Sequence, residues 1–296
     1  MKENGNKPGH TITSAARVRA SGPILFLAVL FVVAVFLSWY LTWFGRGLSD
    51  SEISEYLNDE QHPRHVQHAL LQIQDRLEKG DSTARQWYPR VIALAANQET
   101  EFRLTVAWLM GSDNRSQEFQ QTLLRLIHDP EPIVRRNAAL ALLRFNDQTG
   151  RQELVAILEP YTLRAPSEGV VASTLKEGSV ITRGTLLGRI QSADGRVQEV
   201  RSPLPGKIER ILAANRAGVS KGDPLLTIGS DEESIWEALR GLALVGEISD
   251  LPVIQRYMQQ DGANSGKIKE QATFTAKAVQ QQSQDRSIKY REEKPH

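Results

Sequence analysis

Between Asp50 and Leu158 the apolar residues recur with a helical period. Val66, Leu70, Ile73 and Leu77 follow one another at spacings of 4, 3 and 4, one stripe along a helix face. Gly80-Asp81-Ser82 breaks that stripe, and further helices are predicted over 83–96, 100–111, 116–127 and 131–145. Past residue 164 the period shortens. Val170-Val171, Val180-Ile181 and Leu186-Leu187 are brief β-type runs set between glycines that suit tight turns. Helical spacing returns over 235–258, with a stop at Gly246 and a restart at Asp250-Leu251-Pro252, and again over 266–279. The fold class predicted is α+β, with helices before and after a β segment.

One run has no period at all. Pro23 to Phe44 carries no charge, and as a helix its 22 residues would reach about 33 Å, enough for a hydrocarbon core of about 30 Å. Trp39, Tyr40 and Trp43 crowd its C-terminal end, where amphipathic rings suit an interface. The expectation is an uncleaved transmembrane helix over 23–44. Lys2, Lys7, Arg17 and Arg19 precede it and acidic residues follow from Asp50, so residues 1–22 are expected as a disordered cytoplasmic tail, with the bulk of the chain outside. In a Gram-negative bacterium that placement is a single-pass inner-membrane protein facing the periplasm.

Two helical segments repeat. "EFRLTVAWLMG" from Glu101 and "IVRRNAALALLRF" from Ile133 place Arg103 and Arg135 at matching positions 32 residues apart. Pro130 and Pro132 suit a turn and a helix start, and Ala138, Ala139 and Ala141 allow a second helix to approach closely. "DPEPIVRRNAALALL" resembles a HEAT repeat, in which helix pairs bury an apolar face against the next pair. HEAT-like repeats are expected over 48–158 and again over 231–282, with a disordered tail at 283–296. Insertion of the β segment into one solenoid is favoured over two short arrays, because two terminal repeats alone bury little core.

The β segment is itself a duplication. Gly169 matches Gly206, Gly178 matches Gly218, Gly184 matches Gly222 and Ile190 matches Ile228, at offsets of 37, 40, 38 and 38. "APSEGVV", "SPLPGKI" and "GVSKGDPLLTI" resemble the biotinyl/lipoyl-type barrel-sandwich hybrid, including its version in membrane fusion proteins, the haemolysin-secretion and multidrug-efflux adaptors. The resemblance implies such a hybrid over 160–230. In lipoyl domains the acceptor lysine stands seven residues before the Ser of the second Ser-Pro; here that position is Gly195, and no lysine lies between Thr185 and Gly206. No cofactor is therefore expected, since acylation needs a primary amine. Asp194-Gly195 reads as a hairpin turn. The roughly eleven residues between the halves leave no room for an adaptor's long helical hairpin. The exposed tips Asp194, Gly195, Arg196 and Val197, with Asn215 and Arg216, are the candidate partner contacts.

Composition adds little and excludes some classes. The formal net charge is +1, which gives no nucleic-acid signal, and cysteine is absent. His62, His65 and His68 recur every third residue beside Asp59 and Glu60, but the buried stripe falls on Val66 and Leu70, so these histidines are expected to face water without a metal. Arg135, Arg136 and Arg144 are read as solvent-facing and Trp87, Trp108 and Trp236 as core-facing. No Walker, Rossmann or nucleophile-elbow motif occurs. The combined expectation is a non-enzymatic, membrane-anchored periplasmic adaptor or scaffold, with protein partners in an envelope transport or secretion complex and an oligomeric state left open. Two alternatives remain. One is an enzyme or enzyme subunit, since some HEAT-like proteins are chromophore lyases and some hybrid modules belong to carboxylases. The other is a cell-wall polysaccharide-binding anchor.

Overall fold

The structure, a computed structural model, describes residues 22–39, 47–259 and 265–292. It divides into two compact units, Met1–Ser49 and Asp50–His296.

Within the first unit, α1 (Gly22–Trp39) is an uncharged helix of 18 residues whose side chains from Leu25 to Leu37 are exposed. At the standard rise it is about 27 Å long, less than the roughly 30 Å of a hydrocarbon core. Among the described residues no helix is long and apolar enough to cross a membrane. This corrects the transmembrane expectation over 23–44, and with it the inner-membrane placement and periplasmic orientation that rested on that span. Residues 40–44 of the expected span and residues 1–21 of the expected tail lie outside the described residues.

The second unit opens with helices. They are α2 (Asp50–Asn58), α3 (Pro63–Glu78), a 3₁₀ turn (Ser82–Trp87) leading into α4 (Tyr88–Leu94), α5 (Thr100–Met110), α6 (Gln117–Leu126), α7 (Pro132–Arg144) and α8 (Arg151–Ile157). Their starts follow from local chemistry. Asp81 Oδ1 accepts from Thr83 N (2.9 Å) and Ser116 Oγ from Phe119 N (3.2 Å), while Pro63, Pro89 and Pro132 stand in first turns where the missing N–H costs nothing. The alanines of α7 do what their size allows. Ala138 and Ala139 are fully buried, and a side chain at Gly150 would collide with the Ala139 backbone, so α7 and the start of α8 touch main chain to main chain.

The matched arginines perform matched jobs. Arg103 donates from Nε to Asp129 Oδ2 (2.7 Å) and from Nη2 to Asp129 Oδ1 (3.0 Å), and its Nη1 reaches the carbonyls of Asn97 and Gln98 (both 2.9 Å). One repeat later, Arg135 Nε donates to Glu153 (3.0 Å) and Nη1 to the Asp129 and Pro130 carbonyls (2.9 and 3.2 Å). Each guanidinium ties the loop before its helix to an acid further along the chain, Asp129 in the loop before α7 or Glu153 on α8. The Arg103–Asp129 pair is buried, and Asp129 holds the Arg103 guanidinium above its ordinary pKa.

The strands are β1 (Tyr161–Arg164), β2 (Gly169–Ala172), β3 (Val180–Ile181), β4 (Leu186–Gln191), β5 (Val197–Arg201), β6 (Gly206–Ile211), β7 (Gly218–Val219) and β8 (Pro224–Gly229). They form two antiparallel four-stranded sheets, β1-β8-β6-β3 and β5-β4-β2-β7. The duplication explains this order. Shifting by one half carries β2 to β6, β3 to β7 and β4 to β8, and it sets β5 in one sheet where β1 stands in the other. Val171, Leu187, Ile190 and Val200 from one sheet share a core with Leu163, Ile181, Ile208, Leu226 and Ile228 from the other. The sheets stay open: β1, β3, β5 and β7 each pair on one side only, and β3 and β7, two residues long, are too short to bridge from sheet to sheet. No closed barrel-sandwich is present, which corrects the biotinyl/lipoyl-like and membrane-fusion reading of 160–230.

Two glycines carry the duplicated geometry. Gly169 and Gly206 adopt φ of 148° and 152°, and at each a Cβ would strike a carbonyl of the neighbouring strand, Gln191 O or Gly229 O.

Beyond β8 come α9 (Glu232–Val245), a 3₁₀ turn (Ile248–Asp250), α10 (Leu251–Arg256) and α11 (Gly266–Glu292). β1 and β8 are paired neighbours, Tyr161 opposite Ile228, so the chain leaves the sheets beside the point where it came in. Helices from both sides then meet in one core: Ala139, Leu154, Ile157 and Leu158 pack with Leu239, Leu242, Ile254, Ala272 and Val279. Polar links cross the same seam, Arg151 to Asp250 (2.6 Å), Ser230 Oγ to Ile157 O (2.7 Å) and Tyr257 Oη to Leu158 O (2.9 Å). α11 continues to Glu292, through most of the stretch 283–296 expected as a tail; residues 293–296 lie outside the described residues.

Asp129→Ala leaves the buried Arg103 guanidinium without its counter-charge and is expected to cost about 3–5 kcal/mol in urea unfolding. Asp75→Ala, which removes the exposed Asp75–Lys79 pair (2.6 Å), is expected to cost less than about 0.5 kcal/mol. In the sheets, Gly206→Ala should lower stability by at least about 2 kcal/mol, through left-handed strain and the clash with Gly229 O. Gly195→Ala, also at positive φ but with open space around it, should cost about 1 kcal/mol, read by thermal unfolding of both variants.

Candidate functional site

A groove lies between α5, α7, α9 and α11, with a cavity volume of about 530 Å³. Small residues bring its walls together. Ala141 of α7 lies where a Cβ on Gly111 would sit 3.3 Å away, and Gly241 of α9 fits under Leu143 and Leu154 with no room for a side chain. α11 is fixed to α9 by Thr275 Oγ1, 2.8 Å from Leu239 O, and by Gln282 Nε2, which donates to Ala243 O (2.8 Å).

With the backbones this close, the large apolar side chains at the mouth have nothing to cover them. Trp108 of α5 is 45 % exposed, Leu244 of α9 64 % and Phe274 of α11 61 %. Leu140 and Leu143 of α7 line the floor. Two of the lining residues, Arg144 and Arg240, are cations that stand against aromatic faces. The Arg144 guanidinium lies 6.0 Å from the Trp108 ring, and Arg240 (4.6 Å) and Lys267 (4.2 Å) both lie over Trp236. Arg144 also donates from Nη1 to Gly111 O (3.3 Å) and its carbonyl accepts from Asn114 Nδ2 (2.9 Å), so its position is set by the fold. Glu237 is the acid of the groove. Burial, with Glu233 and Asp231 nearby, raises its carboxyl above the usual range, and Arg240 opposes that rise.

The residues selected from the sequence are distributed elsewhere. Asp194 and Arg196 pair with each other (2.6 Å) on the β4–β5 turn, Gly195 takes φ 85° there, and Val197 is exposed at the start of β5. Asn215 and Arg216 are exposed but tied down: Asn215 Oδ1 accepts from Ser173 N (3.1 Å), and Arg216 N donates to Val171 O (2.7 Å). β2 pairs with β4 at its Val170 end near the first turn, while Asn215 meets Ser173 past its other end. The two tips therefore flank opposite ends of β2 and do not form one surface. Trp87 is buried and Trp236 half-buried, whereas Trp108 opens into the groove, against its expected place in the core. Arg136 is not solvent-facing. It is buried on α7, burial pushes its guanidinium down to about 10, and its Nη1 has no hydrogen-bond partner among the described residues.

The groove residues were passed over in the sequence because helical spacing assigns apolar residues to a core. The available signal was excess: Leu242, Ala243, Leu244 and Val245 are four consecutive apolar positions, more than one buried face can take.

Because Glu237 has a raised folded pKa, its ionised form is penalised in the folded protein, fully above that pKa and not at all below its unfolded value. Glu237→Gln is thus expected to raise the melting temperature at pH 7.5, with the gain vanishing below about pH 4.

Comparison with known proteins bears on the helices. A family model for HEAT repeats matches residues 88–172, which holds α4 to α8 and the first two strands. No curated protein matches the chain. Fifteen solved chains do. One, from work on the structure and function of a single-chain, multi-domain long-chain acyl-CoA carboxylase, is 20% identical over 33% of this chain and 10% of that one, with a TM-score of 0.23. This chain therefore spans about a tenth of that protein's length, and a likeness at that level gives no inference about fold or activity. The support is for a HEAT-like helical region, and it extends neither to a membrane anchor nor to an adaptor module.

Proposed function

We propose that this chain is a non-enzymatic helical-repeat protein whose groove holds one acidic, amphipathic polypeptide segment. The observation that carries the reading is the joint exposure of Trp108, Leu244 and Phe274 in one concavity that Arg144 and Arg240 also line. Three large apolar groups in a groove between helices fit the i, i+3/i+4 and i+7 anchors of an amphipathic helix. The cations choose its sign: Arg144 and Arg240 against Glu237 among the lining residues favour a partner with carboxylates flanking its apolar stripe. We infer the same division of labour for the chain, with the helices of 48–158 and 231–282 forming the binding array and the strands of 160–230 interrupting it. The β4–β5 tip, Asp194 to Val197, is a second contact we assign to such a partner.

The test uses two fluorescein-labelled 16-residue helical peptides with the same leucine spacing, one with glutamates and one with lysines on the polar face. In fluorescence anisotropy the acidic peptide is expected to bind the full chain at least about tenfold more tightly, with affinity falling as salt rises. Phe274→Asp and Leu244→Asp, both at exposed positions that spare the core, should each abolish that binding. Equal binding of the two peptides, or binding that survives both substitutions, overturns the proposal.

A further inference from the structure

The turn between α2 and α3 gathers three side chains that the groove does not use. α2 ends at Asn58, Asp59 follows, His62 stands at the N-cap position of α3 with its side chain making no capping bond, and His65 lies in the first turn after Pro63. Main-chain bonds set the spacing: His62 N donates to Asp59 O (3.0 Å) and His65 N to His62 O (2.8 Å). The side chains then converge. His62 Nδ1 lies 2.8 and 2.9 Å from the two Asp59 carboxylate oxygens, and His65 Nδ1 lies 2.7 Å from Asp59 Oδ2. One donor atom from each of the three residues falls within 4.8 Å of the others.

The surroundings hold this arrangement. The Tyr56 ring stacks on His65 with centroids 4.3 Å apart and planes 11° apart, which fixes the imidazole plane. Glu60, the neighbouring acid, is engaged elsewhere, accepting from Arg90 Nη2 (2.5 Å) and Asn97 Nδ2 (2.8 Å), and Arg90 Nε donates to Leu57 O (3.1 Å). The turn is thereby fastened to α4 from behind, and the three donors face outward.

We propose that Asp59, His62 and His65 form a binding site for a late first-row divalent metal ion, which clips α2 to the start of α3. Two imidazole nitrogens and one carboxylate oxygen on one side of an ion suit the Zn²⁺ class, with water completing the shell. Calcium and magnesium are disfavoured because they take oxygen ligands. Ligands around a tetrahedral Zn²⁺ stand about 3.3 Å apart, given metal–ligand lengths of about 2.0 Å. The observed nitrogen–oxygen separations need to open by only about half an ångström, and the exposed His62 ring is free to do so. The position gives the clip a purpose. α2 and α3 precede the HEAT match at residue 88, and a helix pair in a stacked array needs its two helices held together to present a face to the next pair.

The experiment titrates ZnCl₂ into the untagged, chelator-stripped full chain by calorimetry, with Co²⁺ absorption in the visible as a second readout. One equivalent should bind, with a rise in melting temperature, while CaCl₂ and MgCl₂ give no heat. Asp59→Asn, His62→Gln and His65→Gln should each weaken Zn²⁺ binding by at least about tenfold and abolish the thermal shift. His68→Gln, one turn further along α3, should leave both unchanged, and circular dichroism checks that every variant folds. Absence of Zn²⁺ uptake shows that the cluster is only a hydrogen-bonded Asp–His pair of contacts and overturns the proposal. So does uptake that persists in the His62→Gln/His65→Gln double variant.

Discussion

Arg151 and Asp250 are 99 residues apart in the chain and 2.6 Å apart in space. Asp250 is buried, and its second oxygen accepts from Glu247 N (2.8 Å), so the pair fixes both the helix before the strands and the turn after α9. Around it Leu154, Ile157 and Leu158 close against Leu239, Leu242 and Ile254. α8 is only 7 residues long and would bury little by itself. The contact across the seam is what makes the helices on either side of the strands one folded body. β1 and β8 make it possible by lying side by side, which returns the chain to the place it left.

The groove follows from the same packing. Gly111, Ala141 and Gly241 let three helices approach more closely than large side chains would permit, so the large side chains must be displaced to the rim. An apolar mouth edged by guanidinium groups is the cost of that close approach. The sheets contribute by a different principle. Their halves repeat, and each half supplies one glycine where the backbone passes hard against its neighbour, so the architecture is symmetric although the residues are not.

How much of this was legible in the sequence depended on scale. The helices of 100–111, 116–127 and 131–145 emerged within a residue or two, because stripe, cap and proline agree there. The repeated arginines were visible as a pattern, but their use, reaching back to loop carbonyls, was not. The glycine duplication foretold paired halves, yet nothing in the spacing states whether two sheets will close; that depends on strands as short as Val180–Ile181 having a second neighbour. The apolar run from Pro23 was judged by its 22-residue length and its lack of charge, and the described helix holds 18. Trp108 and Arg136 exchanged their expected places for one reason: spacing locates a helix face, while the identity of what packs on it comes from segments far along the chain.

The returning strands also impose an order in time. α8 ends at Ile157 and α9 begins at Glu232. On a ribosome adding roughly 5–20 residues per second, the partner for the α7–α8 surface emerges roughly 4–15 seconds after that surface does. During that interval the strands emerge one by one, with β8, which pairs with both β1 and β6, last, and the apolar residues Ala139, Leu154 and Ile157 wait uncovered. The nascent chain therefore passes through a stage in which the first half of its helical core is exposed while the sheet joined by β8 is still incomplete.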